Sequence, residues 1–119
     1  MGNLAGRRRN LHFGFFMNED LADLTPLTRL FLAGLWCIAD KEGRLHNRPK
    51  KLAARVLPYD NFNGIKGIED LESAGFIDVY EVDGKGFIQI VNWSKYQNPH
   101  YKETASIIPP PSTNDKSKD

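Results

Sequence analysis

The sequence predicts a small α+β domain, because three segments with helix-like patterns precede two segments rich in strand-forming residues. With 119 residues the chain fits one domain and a short tail. Its hydrophobic content of 40% and charged content of 26% are ordinary for a globular domain. The single cysteine, Cys37, excludes an internal disulfide.

The first helix is predicted from Thr25, which suits a helix N-cap and is followed by a proline in the first turn. The segment from Thr25 to Asp40 is apolar on nearly every face, which is typical of a central, buried helix. Turn residues at 40–43 end this helix, and residues 44–46 are long enough for one short strand.

A second helix is predicted from Pro49, with Asn47 or Arg48 as its cap. Lys51 and Arg55 are four residues apart and share one outer face with Arg48. The opposite stripe is apolar and consists of Leu52, Ala53, Val56 and Leu57. This helix is therefore expected to bury one side and to present a basic side to solvent.

A third helix is predicted from about Asn63 to Ala74, where Ile65, Ile68 and Leu71 recur at three-residue spacing. Two runs of β-forming residues follow, over 76–82 and 87–93. The Asp-Gly turn within residues 83–86 predicts that these two strands form a hairpin.

Helix, short strand, helix, helix and hairpin is the order of a winged helix-turn-helix, with three main helices, a short first strand and a C-terminal β-hairpin wing. We expect a basic N-terminal arm over 1–12, the winged-helix DNA-binding domain over 13–104, and a Pro-rich, then polar, disordered tail over 105–119. The arm holds three consecutive arginines at 7–9 and is expected to be solvated, with contact to DNA as the alternative.

Positive charge is concentrated in residues 44–66, which hold six Lys or Arg against one acid, Asp60. The whole chain has a net charge of only +1. A locally basic surface on a near-neutral domain favours contact with phosphate, and a solvated helix face is the alternative.

In a helix-turn-helix, the second helix of the pair enters the major groove while the first lies across the DNA backbone. The residues predicted to bind phosphate are Arg48, Lys50, Lys51, Arg55 and Lys85. The candidates for reading base edges are Asn61, Asn63 and Lys66. Helix capping is an equally open interpretation of the asparagines. The acidic Glu69, Asp70 and Glu72 place base reading by the later half of the third helix in doubt.

No nucleotide-binding loop, nucleophile elbow or carboxylate constellation is present in the sequence, so we expect no enzymatic activity, no cofactor and no small-molecule substrate. The three histidines, His12, His46 and His100, are too scattered for a zinc site. No apolar run approaches the roughly 18–20 residues of a membrane span, and the N-terminus lacks a signal-peptide core. We therefore expect no membrane partner and a cytoplasmic location.

Two stretches of the sequence are distinctive: the turn Ala-Asp-Lys-Glu-Gly-Arg at 39–44, and the segment Tyr-Gln-Asn-Pro-His at 96–100 with the Ser-Ile-Ile-Pro that follows at 106–109. In these stretches above all, the chain resembles the N-terminal domain of bacteriophage replication-initiation or replisome-organiser proteins. The resemblance covers roughly residues 13–109. It implies an origin-binding winged helix in a bacterial host cell, usually followed by a region that recruits a helicase or helicase loader. That region is missing here, which implies a truncated chain or a short relative.

Two other interpretations stay open. A protein-interaction module in a replication complex would show an exposed apolar patch in place of a continuous basic face, with the basic residues on different sides of the domain. A transcriptional regulator of this fold is usually dimeric through extra terminal helices, and the sequence predicts no long extra helix.

Overall fold

The computed structural model of the chain describes residues 6–112. Within that range the helices are α1 (Gly14–Met17), α2 (Glu19–Ala22), α3 (Pro26–Ile38), α4 (Pro49–Val56), α5 (Gly64–Ser73) and α6 (Trp93–Tyr96). The strands are β1 (Arg44–His46), β2 (Ile77–Val82) and β3 (Lys85–Ile90). The α+β class and the three main helices, α3, α4 and α5, agree with the prediction.

The three strands form one antiparallel sheet in the order β1-β3-β2. Arg44 of β1 lies opposite Gln89 of β3, and Val82 of β2 lies opposite Lys85. The first strand therefore joins the hairpin in one sheet, as the element order predicts.

The main core lies between helices α3, α4 and α5 and one face of the sheet. Helix α3 begins where the Thr25 hydroxyl oxygen accepts the backbone N–H of Thr28 at 3.2 Å, which satisfies one of the free donors of its first turn. The largest fully buried side chains come from α3, α5 and the sheet, and they are Phe31, Leu32, Leu35, Leu71, Ile77 and Ile88.

Helices α4 and α5 approach each other closely at their N-terminal ends. A Cβ atom at Gly64 would lie 2.2 Å from the Pro49 carbonyl oxygen and 3.0 Å from the Ala53 Cβ. Only glycine allows this approach. The contact places α5 against the Ala53 side of α4.

The hairpin turn is shorter than predicted. Asp83 and Gly84 both have positive φ, 53° and 78°, and form the whole connection between β2 and β3. Lys85 is therefore the first residue of β3. Strand β3 ends at Ile90, because Asn92 has a left-handed backbone conformation and Trp93 begins α6. The indole N–H of Trp93 donates to the Lys41 carbonyl at 2.8 Å.

The described part of the N-terminal arm packs against the domain, in contrast to the predicted solvated arm. The backbone N–H of Arg7 donates to the Cys37 carbonyl at 2.8 Å, and the backbone N–H of Asn10 donates to the buried Gln97 side chain at 2.8 Å. These bonds tie residues 7–10 to the end of α3 and to the chain after α6. Residues 1–5 lie outside the described range.

Arg9 is the most buried of the three arginines, with 4% of its side chain exposed. Its guanidinium donates to the carbonyl oxygens of Trp36 and Ala39 at 3.0 and 3.2 Å. It also donates to both carboxylate oxygens of Glu103, at 3.0 and 2.8 Å, and lies 4.9 Å from the Trp93 ring centroid. Arg9 is thus an internal structural residue.

The Pro-rich stretch beyond residue 104, which the sequence predicts as the start of the tail, packs against the domain at Ser106, Ile108 and Pro109. Ile108 is buried with Tyr80 and Phe87 on the outer face of the sheet. The Tyr80 hydroxyl donates to the Pro109 carbonyl at 2.7 Å, and burial raises the pKa of this hydroxyl. The sequence did not reveal this packing because a single isoleucine carries it. The remaining tail residues, 113–119, lie outside the described range.

Removal of the Arg9 side chain is expected to lower the free energy of unfolding by roughly 2–4 kcal/mol, because Arg9→Ala leaves two carbonyls and a largely buried carboxylate short of donors. Urea unfolding monitored by tryptophan fluorescence measures the loss. Arg8→Ala is the matched control, since Arg8 is exposed, and it should change stability by less than about 0.5 kcal/mol. Equal effects of the two variants would contradict the structural role of Arg9.

Acid is expected to weaken the same contact. Hydrogen bonds from Arg9 hold the pKa of Glu103 below its ordinary value of 4.5, helped by the charges of Arg9, Arg7 and Lys41 and opposed by burial. A carboxyl with a lowered folded pKa stabilises the fold fully above its unfolded pKa and loses that contribution as the pH falls through the folded pKa. Unfolding free energy should therefore drop below about pH 4.5 and drop less in Glu103→Gln. Glu19→Gln, at an exposed position, should retain the full acid sensitivity.

Candidate nucleic-acid interface

A cleft of about 370 Å³ opens between α4, β1 and the N-terminal segment. Its apolar floor consists of Ile38, Leu45, Leu52 and Ile108. Its rim carries basic side chains from three separate parts of the chain, together with one histidine: Arg7, Arg44, His46, Arg48, Lys51 and Arg55. We call these ten residues, together with Asp40, the basic cleft.

The one acid that lines the basic cleft is already engaged. Asp40 accepts the backbone N–H groups of Glu42 and Arg44 at 2.9 and 3.0 Å, and its other oxygen accepts the Ser106 hydroxyl. The Arg44 side chain donates to two neutral acceptors, the Gln89 amide oxygen at 2.9 Å and the Ile108 carbonyl at 3.2 Å. Basic charge therefore exceeds acidic charge along the rim.

Helix α4 places Lys51 and Arg55 on one exposed side, and Arg48 precedes them by about one turn. Lys50 is also exposed, but it lines a different groove, which Asn61 lines as well. The structure thus brings together three of the five predicted phosphate-binding residues and separates Lys50 from them.

Lys85 lies near one end of the basic cleft. His46 is the last residue of β1 and pairs with Phe87, after which the backbone N–H of Arg48 turns back to the His46 carbonyl at 3.0 Å. Lys85 is joined to Gly86, which faces Asn47, the residue before Arg48. The backbone N–H of Asn47 donates to the Gly86 carbonyl at 3.0 Å, which holds the end of β1 beside the start of β3. Side chains alternate along a strand, so Lys85 shares its sheet face with Phe87.

Two of the three candidates for base reading, Asn63 and Lys66, are engaged in local contacts. Asn63 is the N-cap of α5, and its side-chain oxygen accepts the backbone N–H of Lys66 at 3.1 Å. The Lys66 ammonium donates to Asp70 at 2.8 Å, and this hydrogen bond raises the pKa of Lys66. Asn61 is exposed in the groove with Lys50. The capping interpretation therefore holds for Asn63.

Sequence reasoning did not assign Arg7, Arg44 and His46 to the site. Arg44 and His46 lie on the same face of β1, one on each side of the buried Leu45. A strand of three residues is too short for this face to be recognised from the sequence. Arg7 reaches the cleft only because its backbone is bonded to the end of α3. No local sequence pattern encodes that contact.

A separate apolar patch lies on and before α1. The side chains with most exposure are Phe13 at 73%, Met17 at 66%, Phe16 at 63% and Leu11 at 53%. A cavity of about 160 Å³ adjoins this segment and is lined in part by Phe15, Trp36, Trp93 and Tyr96. The domain thus shows both features that the sequence treats as alternatives, a basic cleft and an exposed apolar patch.

Between residues 6 and 112 no group of three or more His, Cys, Asp or Glu side chains is placed to hold a metal ion. Over the same part of the chain, no helix has the length and apolar character needed to cross a membrane.

Comparison of the chain with protein-family models, with curated proteins and with solved structures found no match. The resemblance to phage replication-initiation domains therefore stays a prediction.

Asn63→Ala is expected to lower the free energy of unfolding by about 1 kcal/mol, because it removes the N-cap of α5. Asn61→Ala is the matched control, since Asn61 precedes the helix and caps nothing in the described structure, and it should be nearly neutral. Chemical unfolding of both variants measures the difference. A neutral Asn63→Ala would exclude the capping role.

Proposed function

We propose that this domain binds double-stranded DNA as a winged helix-turn-helix and that its basic cleft contacts the phosphate backbone. The observation that carries the proposal is the convergence of basic side chains from the N-terminal segment, β1 and α4 on one cleft with a single, already engaged acid. Lys85 at the start of β3 extends this positive surface toward the hairpin.

The topology supports the winged-helix interpretation. Helices α4 and α5 are consecutive and in contact, as the two helices of a helix-turn-helix are. The sheet order β1-β3-β2 places the hairpin beside the strand that leads into α4. The hairpin is therefore close to the start of α4, as the wing of a winged helix is expected to be.

The electrostatics favour binding that is strong at low salt and independent of sequence. Each phosphate that a basic side chain neutralises contributes about −0.9 to the slope of log K against log salt concentration. Contacts from Arg48, Lys51, Arg55 and Lys85 would give a slope of roughly −3.6. Such contacts fix register on the duplex and carry little base information.

Origin recognition in phage-type replication initiation is the finer form of this proposal, and its support is the sequence resemblance. The same resemblance is the basis for proposing a helicase or helicase loader as a partner and a bacterial cytoplasm as the location. Selection of bound duplexes from a random pool tests origin recognition, because an enriched common sequence is its expected result.

Protein–protein interaction is the second candidate function, and the exposed Phe13, Phe16 and Met17 favour it. A contiguous patch of exposed apolar side chains on a protein surface commonly marks a site that a partner covers. Absence of duplex binding at low salt, together with concentration-dependent self-association that Phe13→Ser abolishes, would favour this candidate over DNA binding.

Replacement of Lys51 and Arg55 by alanine is expected to weaken binding to all duplex sequences alike and to reduce the salt slope by about 1.8. Fluorescence anisotropy of a labelled duplex between about 50 and 200 mM salt measures both quantities. The matched control removes the same charge at Lys95 and Lys102, which do not line the basic cleft.

The control variant should bind nearly as the parent protein does. No measurable affinity of the parent protein for duplex DNA at low salt would reject the proposed function. Equal losses in both double variants would show that net charge, and not the basic cleft, determines the affinity.

A further inference from the structure

The two helices that would form the helix-turn-helix carry opposite charge. Helix α4 holds Lys50, Lys51 and Arg55 with no acid, a net of +3. Helix α5 holds Lys66 against three carboxylates, a net of −2. A polyanion therefore meets attraction on one helix and repulsion on the other.

We infer that α4, and not α5, faces the duplex, with one phosphate strand lying along the row Lys85, Arg48, Lys51 and Arg55. We call these four residues the phosphate row. This inference rests on the proposed function, since it specifies how the same domain would engage DNA. It reverses the usual helix-turn-helix arrangement, in which the second helix of the pair enters the major groove.

Helix geometry separates the basic cleft from α5. Ala53 lies within contact of the Gly64 position, so α5 packs on the Ala53 side of α4. Lys51 precedes Ala53 by two residues and Arg55 follows it by two. Two residues correspond to a rotation of about 200° around the helix axis, so both side chains lie nearly opposite Ala53. A duplex that contacts Lys51 and Arg55 therefore approaches α4 from the side opposite α5.

The dimensions of the phosphate row suit a DNA strand. Arg48 and Arg55 are seven residues apart, about 10 Å along a helix. Along the axis of a duplex, about 10 Å corresponds to roughly three nucleotides of one strand.

The outer side of α5 has one basic side chain, Lys66, for three carboxylates, of which Glu72 also accepts the backbone N–H of Val79 at 3.3 Å. Lys66 is paired with Asp70, and Asn63 is used as the helix cap. Glu69 is exposed, and Ile65 exposes 47% of its surface without a polar atom on its side chain. Each carboxylate brought to about 4 Å from a phosphate costs about 1 kcal/mol even at the dielectric constant of water. This side of α5 is better suited to solvent or protein than to a DNA groove.

Lysine acetylation of the parent protein, read by mass spectrometry with and without a duplex at low salt, tests the inference directly. Lys51 and Lys85 should lose reactivity when the duplex is bound, by about the fraction of protein in the complex. Lys66 should keep its reactivity. The ratio of bound to free reactivity at each lysine removes the effect of its intrinsic pKa.

A pair of charge reversals gives an independent measurement. Lys51→Glu and Glu69→Lys each change the net charge by two, on α4 and α5 respectively. Lys51→Glu should weaken duplex binding at least tenfold, and Glu69→Lys should change it by less than threefold. Both positions are exposed, so both variants are expected to fold, and circular dichroism checks this.

The outcomes separate the two proposals. Duplex binding with Lys66 protected and Lys51 reactive, or a tenfold gain in Glu69→Lys, would overturn the orientation and leave DNA binding intact. No duplex binding at all would overturn the proposed function and the orientation with it.

Discussion

The contact between Arg9 and Glu103 joins the N-terminal and C-terminal segments of the described chain, and the positions of both segments depend on it. Both carboxylate oxygens of Glu103 accept from the Arg9 guanidinium, and the remaining donors reach carbonyls of Trp36 and Ala39 at the end of α3. A guanidinium is suited to this position because its planar, fixed donors satisfy several acceptors at once. The N-terminal segment is thereby held beside the end of α3.

This arrangement has a direct effect on the candidate interface. The backbone of Arg7 is bonded to Cys37, and its side chain lines the basic cleft while lying 3.1 Å from Glu103. On the other side of the cleft, Arg44 donates to the Ile108 carbonyl. Both terminal segments therefore complete a site whose main basic residues come from α4, and the stability of the fold and the shape of the cleft are linked.

Much of the fold could be predicted because its signals are local. The Thr25 cap, the apolar run of α3 and the Asp83-Gly84 turn each act within a few residues, and each occurs where the pattern predicts. The one-turn helices α1, α2 and α6 were not predicted, since a single turn has too few residues for a periodic pattern. Of the candidate site, the exposed basic side of α4 could be predicted, whereas Arg7 and His46 could not, because they join it through contacts between distant parts of the chain.

The sequence by itself determined the α+β class, the order of the main elements and the basic character of α4, because helix periodicity, turn residues and charge are properties of short segments. Only the tertiary structure decided which charges act together. Packing of α5 on the Ala53 side of α4 directs Lys51 and Arg55 away from α5. The hydrogen bond from Asn47 to Gly86 holds the start of β3 beside the segment that leads into α4. These relations depend on close contacts between elements, such as the approach at Gly64, whose partners a linear pattern does not specify.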